Sequence, residues 1–508
     1  MPMNNLLTAA QMRAEETAAI ESGAVTGLEL MERAGRGVVE AAFAHWPDLS
    51  RAPQRALVLC GPGNNGGDGF VVARLLKEWG WDVQAFLLGD PERLPPDARA
   101  NQRRWSALGT TRPIDDARAA AAAGDAALVV DALFGTGLTR PLEGVWADLV
   151  ARPASRCVAV DIPSGLCADS GRVLGAAMRA DLTVTFHSAK QGHYLADGPG
   201  HCGALAVADI GLRDGDVAGA ITLCPAPGAA RLAKGAGAHK YGHGHALVLT
   251  GGAGRTGAAR LAARAALRVG AGLVTLGVPG SAQMEVAAQI TALMLARVDG
   301  AEGLAAALED RRLTALCLGP GLGIARARAL VPVALRAAHA PGVVLDADAL
   351  TAFEDAPETL FEMLHAGCIL TPHAGEFARL FPDIAETLNA PATKGPACSR
   401  VDATRAAAER AGCVVLLKGP DTVIAAPGGR CCIHAAHYDR AAPWLATAGS
   451  GDVLAGLVTG MIARGIGPAQ AAEAAAWLHV EAARRFGPGL IAEDLPETMP
   501  QVLRALGV

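Results

Sequence analysis

The sequence predicts an α/β protein of two domains, each built on a parallel sheet covered on both faces. Three observations carry that reading. Short continuous apolar runs, most ending at Gly, Asp or Ser, alternate with Ala-rich helical stretches, the pattern of strands buried on both faces. The chain has 508 residues, enough for two or three domains at about 100–200 residues each. A segment rich in Gly, Asp and Pro, GLRDGDVAGAITLCPAPGAARL (211–232), separates one strand-and-helix series from a second and is the best boundary.

In the first series RALVLC (55–60) reads as a strand, the glycine-rich stretch after it as a turn, and FVVARLLKEWG (70–80) as a helix. WDVQAFLLG (81–89), ALVVDALFG (127–135), CVAVDIPSG (157–165) and DLTVTFHS (181–188) follow as buried strands. The second series opens with HALVLTGG (245–252). It continues through GAGLVTLGVP (270–279), LTALCLGPGLG (313–323), GVVLDADAL (342–350), CILTPHAGE (368–376) and CVVLLKGPDTVIAAP (413–427). AGSGDVLAGLVTGMIARG (448–465) reads as a loop running into a helix. The GPG at 61–63 and at 319–321 has different flanks, so it is read as two glycine turns and not as a duplication.

Composition narrows the class. Hydrophobic residues make up 51% and charged residues 19%, which excludes a chain disordered throughout. A net charge of -5 gives no basic surface for nucleic acid, although backbone N–H groups can still bind anions. The 11 cysteines form no C-x-x-C pair and are expected to be structural thiols in a reducing cytoplasm. The opening MPMNNLLTAAQMRAEETAAIESG carries acidic residues where a signal peptide needs an apolar core, and no apolar run reaches membrane-spanning length. A cytoplasmic enzyme with small-molecule substrates, without nucleic-acid or membrane partners, and assembling as a homo-oligomer, is the expectation.

Two motifs carry chemistry. In CGPGNNGGDGFVVARLL (60–76) a strand ends and a Gly- and Asn-rich turn opens a helix. Gly and Asn tolerate left-handed backbone angles, so the turn can aim N–H groups at an anion near the positive end of the helix dipole. It has neither the G-x-G-x-x-G nor the G-K-[ST] pattern, and the plainer alternative is a tight turn. Asp68 lies in it, while Asp131 and Asp161 end predicted strands. Ligands of open α/β sheets bind beyond strand carboxyl ends, so these carboxylates are expected in one crevice; the alternative is helix capping. In AGSGDVLAG (448–456), Gly449, Ser450 and Gly451 can surround a transferring phosphoryl group, and Asp452 is placed to take a proton from the attacking hydroxyl. His373, beside Glu376, is a further site candidate. His239, His243 and His245 match no metal spacing and are read as a solvated glycine-rich loop.

The segments LLTAAQMRAEE, LELMERAG, GPGNNGGDGFVVAR, VVDALFGTGL, AVDIPSGL and VTFHSAKQG resemble the N-terminal domain of the bifunctional NAD(P)H-hydrate repair enzymes, a Rossmann-like epimerase with a bound potassium ion. The resemblance implies hydrate contacts at Asn64, Asn65, Gly66, Gly67 and Asp68, at Gly135, Thr136, Gly137, Leu138, Thr139, Arg140 and Pro141, and at Asp161. It implies an ion held by Asn65, Asp131 and Ser164, whose oxygens suit a hard cation. Asp161 is the candidate acid or base, with Lys190 as a second.

Downstream, TGGAGRTGAARLAARAALRVGAGLVTLGVP, LGPGLG, DADAL, LTPHAGEFARL and LLKGPDTVI resemble the ADP/ATP-dependent NAD(P)H-hydrate dehydratases, which have a ribokinase-like α/β fold. By that resemblance Ala258, Gly323, His373 and Asp452 contact the hydrate. Lys418, Gly419, Pro420, Asp421, Thr422 and Gly451 contact ADP or ATP, with Mg2+ neutralising phosphate charge. Arg255 stands where many members carry an aromatic residue. The implied domains are an epimerase at 1–214, a linker at 215–225 and a dehydratase at 226–508. The implied activity is epimerisation of the R and S hydrates and dehydration of the S form. Two rival readings are a small-molecule kinase of the same fold and a binding module.

Overall fold

Why the first half can gather carboxylates in one place follows from its strand order. The computed structural model describes residues 5–117, 125–143, 156–213, 215, 217–235, 239–339 and 341–508. It divides into one unit of Met1–Ile221 with Ala390–Arg400 and a second of Thr222–Asn389 with Val401–Val508. A short strand, β1 (Asn5–Leu6), leads into the first unit. The main strands of this unit are β2 (Arg55–Cys60), β3 (Asp82–Leu87), β4 (Thr111–Pro113), β5 (Leu128–Ala132), β6 (Arg156–Val160), β7 (Leu182–Phe186) and β8 (Ala204–Ala208). They form a parallel sheet in the order β4-β3-β2-β5-β6-β7-β8. The order reverses between β2 and β5, and the crevice beyond their carboxyl ends is the switch point where open α/β sheets bind ligands.

Local sequence explains the helices that frame this crevice. Thr8-x-x-Gln11 and Thr26-x-x-Glu29 are capping boxes that start helices Ala9–Glu21 and Gly27–His45. Leu7 N–H donates to Ala189 O and Gln191 N–H to Leu7 O, so the first of these helices begins beside the chain carrying Lys190.

In the second unit the strands are β9 (Ile221–Leu223), β10 (His245–Leu249), β11 (Leu273–Val278), β12 (Met294–Arg297), β13 (Leu313–Leu318), β14 (Gly342–Leu345), β15 (Cys368–Leu370), β16 (Val414–Leu417), β17 (Asp421–Ala425) and β18 (Cys431–Ala435). They run in the order β9-β18-β17-β16-β15-β14-β13-β10-β11-β12, with a reversal between β10 and β13. Helix Ser450–Ala463 is buried on all sides from Val453 to Ala463. Gly456 and Gly460 let it lie against helix Gly257–Arg268: a Cβ at Gly456 would come within 2.1 Å of Ala262 O.

Three sequence expectations change. CVVLLKGPDTVIAAP is two strands, β16 and β17, and these pair antiparallel, as do β17 and β18. Only Lys418–Pro420 connect the first two, and a parallel pair needs a crossover of a dozen or more residues. The 211–232 segment contains β9, which pairs with β18. His245 is no loop residue: it opens β10, is buried, and its Nε2 lies 2.8 Å from Thr275 Oγ1. Among the described residues, no helix is long and apolar enough to cross a membrane.

Candidate active sites

In the first unit the Gly- and Asn-rich segment is mostly helix, not turn. Gly63 is the N-cap, helix Asn64–Glu78 begins with NNGGDG, and no side chain caps it. The first N–H groups of an uncapped helix point outward and favour an anion. The glycines here do not adopt left-handed angles, contrary to the sequence reading; they permit close approach. A Cβ on Gly61 would lie 1.6 Å from Leu133 O, and one on Gly66 would lie 2.0 Å from Gly61 O.

Asp161 follows β6 with φ 66°, a left-handed conformation that Asp adopts more readily than most residues. Its N–H donates to Val184 O (2.8 Å). Lys190, 1% exposed, donates from Nζ to Asp161 Oδ1 (2.9 Å), Thr185 Oγ1 (2.8 Å) and Phe186 O (3.3 Å). Thr185 Oγ1 also donates to Asp161 Oδ1 (2.8 Å). Lys190 N–H donates to His193 Nδ1 (2.9 Å), which leaves Nε2 to carry the proton toward Asp161 O at 2.9 Å. Burial pushes the Asp161 carboxyl up, but the Lys190 charge and hydrogen bond, with that of Thr185, hold it below its ordinary value. Asp68 goes the other way: burial, then Asp161 and Glu16, raise it well above the carboxylate range. Burial and Asp161 raise Glu16 as well. Thr185 and His193 went unnoticed in sequence, although VTFHSAKQGH contains both; Glu16 gave no signal beyond the helix that carries it.

Asp131 ends β5 fully buried. Ser164 N–H donates to its Oδ2 (2.8 Å) and Ser164 Oγ to its Oδ1 (2.6 Å), while Phe134 N–H donates to Ser164 Oγ (2.9 Å). Burial pushes the Asp131 carboxyl up to about 6 against these bonds. Asn65 packs against Gly135, where a Cβ would lie 2.9 Å from Asn65 Oδ1. The Gly135–Pro141 loop closes with Leu138 N–H on Gly135 O (3.3 Å), and Gly137, Thr139 and Arg140 are exposed. Residues 390–400, assigned from sequence to the second domain, cluster with this unit, and Gly395 N–H donates to Thr139 O (3.1 Å).

In the second unit the carboxyl ends of β10, β13, β14, β15 and β16 deliver the site. Lys418 Nζ donates to Asp346 Oδ1 (2.6 Å) and lies 3.8 Å from Glu376 Oε2. Glu376 accepts from His373 N–H (2.9 Å), and His373 Nδ1 accepts from Gly375 N–H (2.9 Å), a capping box that starts helix Ala374–Leu380. Asp348 Oδ2 accepts from Gly323 N–H (2.8 Å), and Ala347 between the two aspartates has φ 46°. Such a non-glycine angle costs roughly 1–3 kcal/mol and is held by its surroundings. Ala258 sits beside Gly321, and the Arg255 guanidinium lies near Gly323.

Gly449, with φ 87°, is the uncapped N-cap of helix Ser450–Ala463. A Cβ on Gly451 would be 3.4 Å from Lys418 Nζ, so the glycine turn faces the lysine. Asp452 is pushed up to about 6 by burial, then by Asp346, with Lys418 opposing. Beside it opens a cavity of about 490 Å³ lined by Lys418, Gly419, Pro420, Thr422 and Gly451, among others. Asp421 is buried in β17 and does not line it.

Known proteins agree with this division into two sites. The family described as NAD(P)H-hydrate dehydratase matches residues 246–500, and the YjeF-related protein N-terminus family matches 27–192. A bifunctional NAD(P)H-hydrate repair enzyme of Moorella thermoacetica is 37% identical, covering 99% of this chain and 97% of its own. That of Salinibacter ruber is 36% identical over 98% of this chain and 96% of its own. An NAD(P)H-hydrate epimerase of Roseobacter litoralis is 48% identical over 41% of this chain and all of its own length. The chain belongs to the bifunctional NAD(P)H-hydrate repair enzymes.

Proposed function

We propose that the protein returns hydrated NADH and NADPH to their reduced forms: the first unit interconverts the R and S hydrates, and the second dehydrates the S form at the expense of ADP or ATP. The observation that carries this reading is that each unit sets a carboxylate of shifted acidity near an uncapped helix N-terminus beyond the carboxyl ends of its strands.

In the first unit Asp161 is the base and Asp68 the acid, because their surroundings push the two carboxyls apart. Asp68 protonates the departing ring hydroxyl, and Asp161 takes a proton from the water that adds to the opposite face. Lys190 keeps Asp161 ionised and oriented. The N–H groups at Asn64, Asn65 and Gly66 hold the hydrate's phosphates, with Gly67 allowing close approach and the Gly135–Pro141 loop covering the ligand. Asn65, Asp131 and Ser164 fit a potassium ion: the donors are oxygens, and the buried Asp131 carboxylate has no cationic side chain bonded to it among the described residues. The ion would supply the charge that Asp131 lacks.

In the second unit Asp452 takes the proton of the ring hydroxyl as its oxygen attacks the terminal phosphorus. The bridging P–O bond breaks, the phosphorylated hydrate loses phosphate with the C–O electron pair, and a proton leaves the neighbouring carbon to restore the dihydronicotinamide. Ala258, Gly323 and His373 border the hydrate. Lys418, Gly419, Pro420, Thr422 and Gly451 hold the nucleotide. Among the described residues no group of three His, Cys, Asp or Glu is placed to hold a metal, so Mg2+ is expected to arrive on the nucleotide's phosphates. A cytoplasmic location fits 11 cysteines that form no disulfide with one another.

The test mixes the protein with both epimers of NADH hydrate, ADP or ATP, Mg2+ and K+, and follows reduced-nicotinamide absorbance. Both epimers are expected to convert fully, only the S form with Asp161→Asn, and neither with Asp452→Asn. No recovery of NADH with either nucleotide overturns the dehydratase assignment.

A further inference from the structure

The second sheet reverses its order between β10 and β13, and the loops that leave those two strands meet there. They touch backbone to backbone: a Cβ on Gly251 would lie 2.1 Å from Gly321 O, and one on Gly321 would lie 2.9 Å from Arg255 O. The loop after β10 is held in shape by its own bonds. Arg255 N–H donates to Gly252 O (3.0 Å). Glu285 accepts from Gly254 N–H (2.7 Å) on one side of Arg255 and from the Thr256 hydroxyl on the other. The main chain thus fixes Arg255 at the switch point, where open α/β sheets bind ligands. Its guanidinium reaches toward Gly323, where a Cβ would lie 3.8 Å from Nη1.

Arg255 is exposed, and among the described residues its side chain has no hydrogen bond or ion pair. Other arginines at this end of the sheet are spent on the protein. Arg326 donates to Thr250 O (2.9 Å), Asp299 O (2.6 Å) and Val298 O (2.5 Å), and Arg297 pairs with Asp299 (2.6 Å). A guanidinium presents a planar fork of donors that matches the oxygens of a phosphate. Arg255 lies beside Ala258 and Gly323, the residues assigned to the border of the hydrate. That substrate carries a pyrophosphate, and its NADPH form a 2′-phosphate as well.

We propose that Arg255 holds a phosphate group of the hydrate during dehydration, as a substrate-binding residue that takes no part in the bond changes. This rests on the dehydratase reading of the second unit. The arginine lies on the β10 and β13 loops, whereas the cavity assigned to ADP or ATP is lined by Lys418, Gly419 and Gly451. The charge therefore serves the hydrate and not the nucleotide.

The experiment measures KM and kcat for dehydration of three S hydrates by the full-length protein and by its Arg255→Met and Arg255→Lys variants. The substrates are the hydrates of NADH, of NADPH and of reduced nicotinamide riboside, which has no phosphate. A hydrogen bond to a charged group at this exposed position predicts that Arg255→Met raises KM about tenfold for the two dinucleotide hydrates, more than it lowers kcat. The KM for ADP and the epimerase activity are the checks on folding and are expected to hold. Arg255→Lys keeps the charge and should restore part of the affinity. For the riboside hydrate kcat/KM should be the same in all three proteins. An equal loss on both dinucleotide hydrates puts the contact on the pyrophosphate; a loss confined to the NADPH hydrate puts it on the 2′-phosphate. Unchanged KM for both dinucleotide hydrates overturns the proposal, as does a loss on the riboside hydrate as large as theirs. A native protein that dehydrates none of the three overturns the dehydratase reading and the proposal together. A native protein that is active, with Arg255→Met its equal, removes the role of the arginine alone.

Discussion

Replacing Lys190 with Met tests how the first site keeps a charged carboxylate out of water. The side chain is 1% exposed, and its ammonium meets Asp161, Thr185 and Phe186 O. Met has similar length and no donor, so the substitution leaves Asp161 buried with Thr185 as its remaining side-chain partner. Removing one partner of a buried ion pair costs about 3–5 kcal/mol. The pH dependence gives the finer test. In the native protein Asp161 lies below its ordinary value, so its stabilisation is full above about 4 and is lost as pH falls through the folded value. Without Lys190, burial dominates and the carboxyl rises above its ordinary value. The deficit is then largest at neutral pH and shrinks toward pH 4, leaving the part due to the lost bonds of Thr185 and Phe186. Hydrogen exchange of the β6 and β7 amides, followed by mass spectrometry, reports the opening of this unit apart from the other. Adding Asp161→Asn to Lys190→Met is expected to recover stability at pH 7, because the uncompensated charge is gone. A loss below about 1 kcal/mol at pH 7, or a deficit equal at pH 4 and 7, refutes the reasoning.

Asp452→Asn is expected to slow dehydration by about 10²–10⁴-fold with epimerisation unchanged, measured on the separate S and R hydrates. Lys418→Met removes the charge that lowers Asp452, so the acidic limb of the dehydration pH profile is expected to move upward from about 6, with a raised KM for the nucleotide. Gly319→Ala sets a Cβ 1.6 Å from Asp346 O at φ 129°, which displaces the carboxylate tethering Lys418. Dehydration should fall with the melting temperature of the second unit, at a stability cost of roughly 1–3 kcal/mol.

The central strands of both sheets were legible because most are short apolar runs closed by a small or acidic residue, and Asp131 and Asp161 declared themselves by that position, whereas β4, β8, β9, β12 and β18 were not read from the sequence. What sequence could not display is backbone conformation and spatial approach. NNGGDG reads equally as a left-handed turn or as a helix start packed against β2; the contact between Gly66 and Gly61 O decides for the helix. Thr185 and His193 look like ordinary strand and loop residues until Lys190 folds back between them. The placement of residues 390–400 rests on a backbone bond at Thr139, on Arg172 Nη2 donating to Ala390 O (2.5 Å) and on Ala397 packing with Cys167 and Leu174, which leave no pattern along the chain.

The two sites use a lysine differently, and the difference sets their response to acid. Lys190 bonds a single carboxylate, Asp161, which stays ionised below the ordinary range. Lys418 is divided: it bonds Asp346 at 2.6 Å and lies near Glu376, so Asp452, with Asp348 also nearby, is left at about 6. At pH 7 both bases are charged. At pH 5 Asp452 is about one-tenth ionised by this value, while Asp161 remains a carboxylate. Dehydration should therefore drop about tenfold between pH 7 and 5 as epimerisation at Asp161 continues, which raises the ratio of epimerisation to dehydration. Following each epimer chromatographically at the two pH values separates the rates. A parallel fall in both would mean that one shared event, and not the division of Lys418 among several carboxylates, limits the acid side of the reaction.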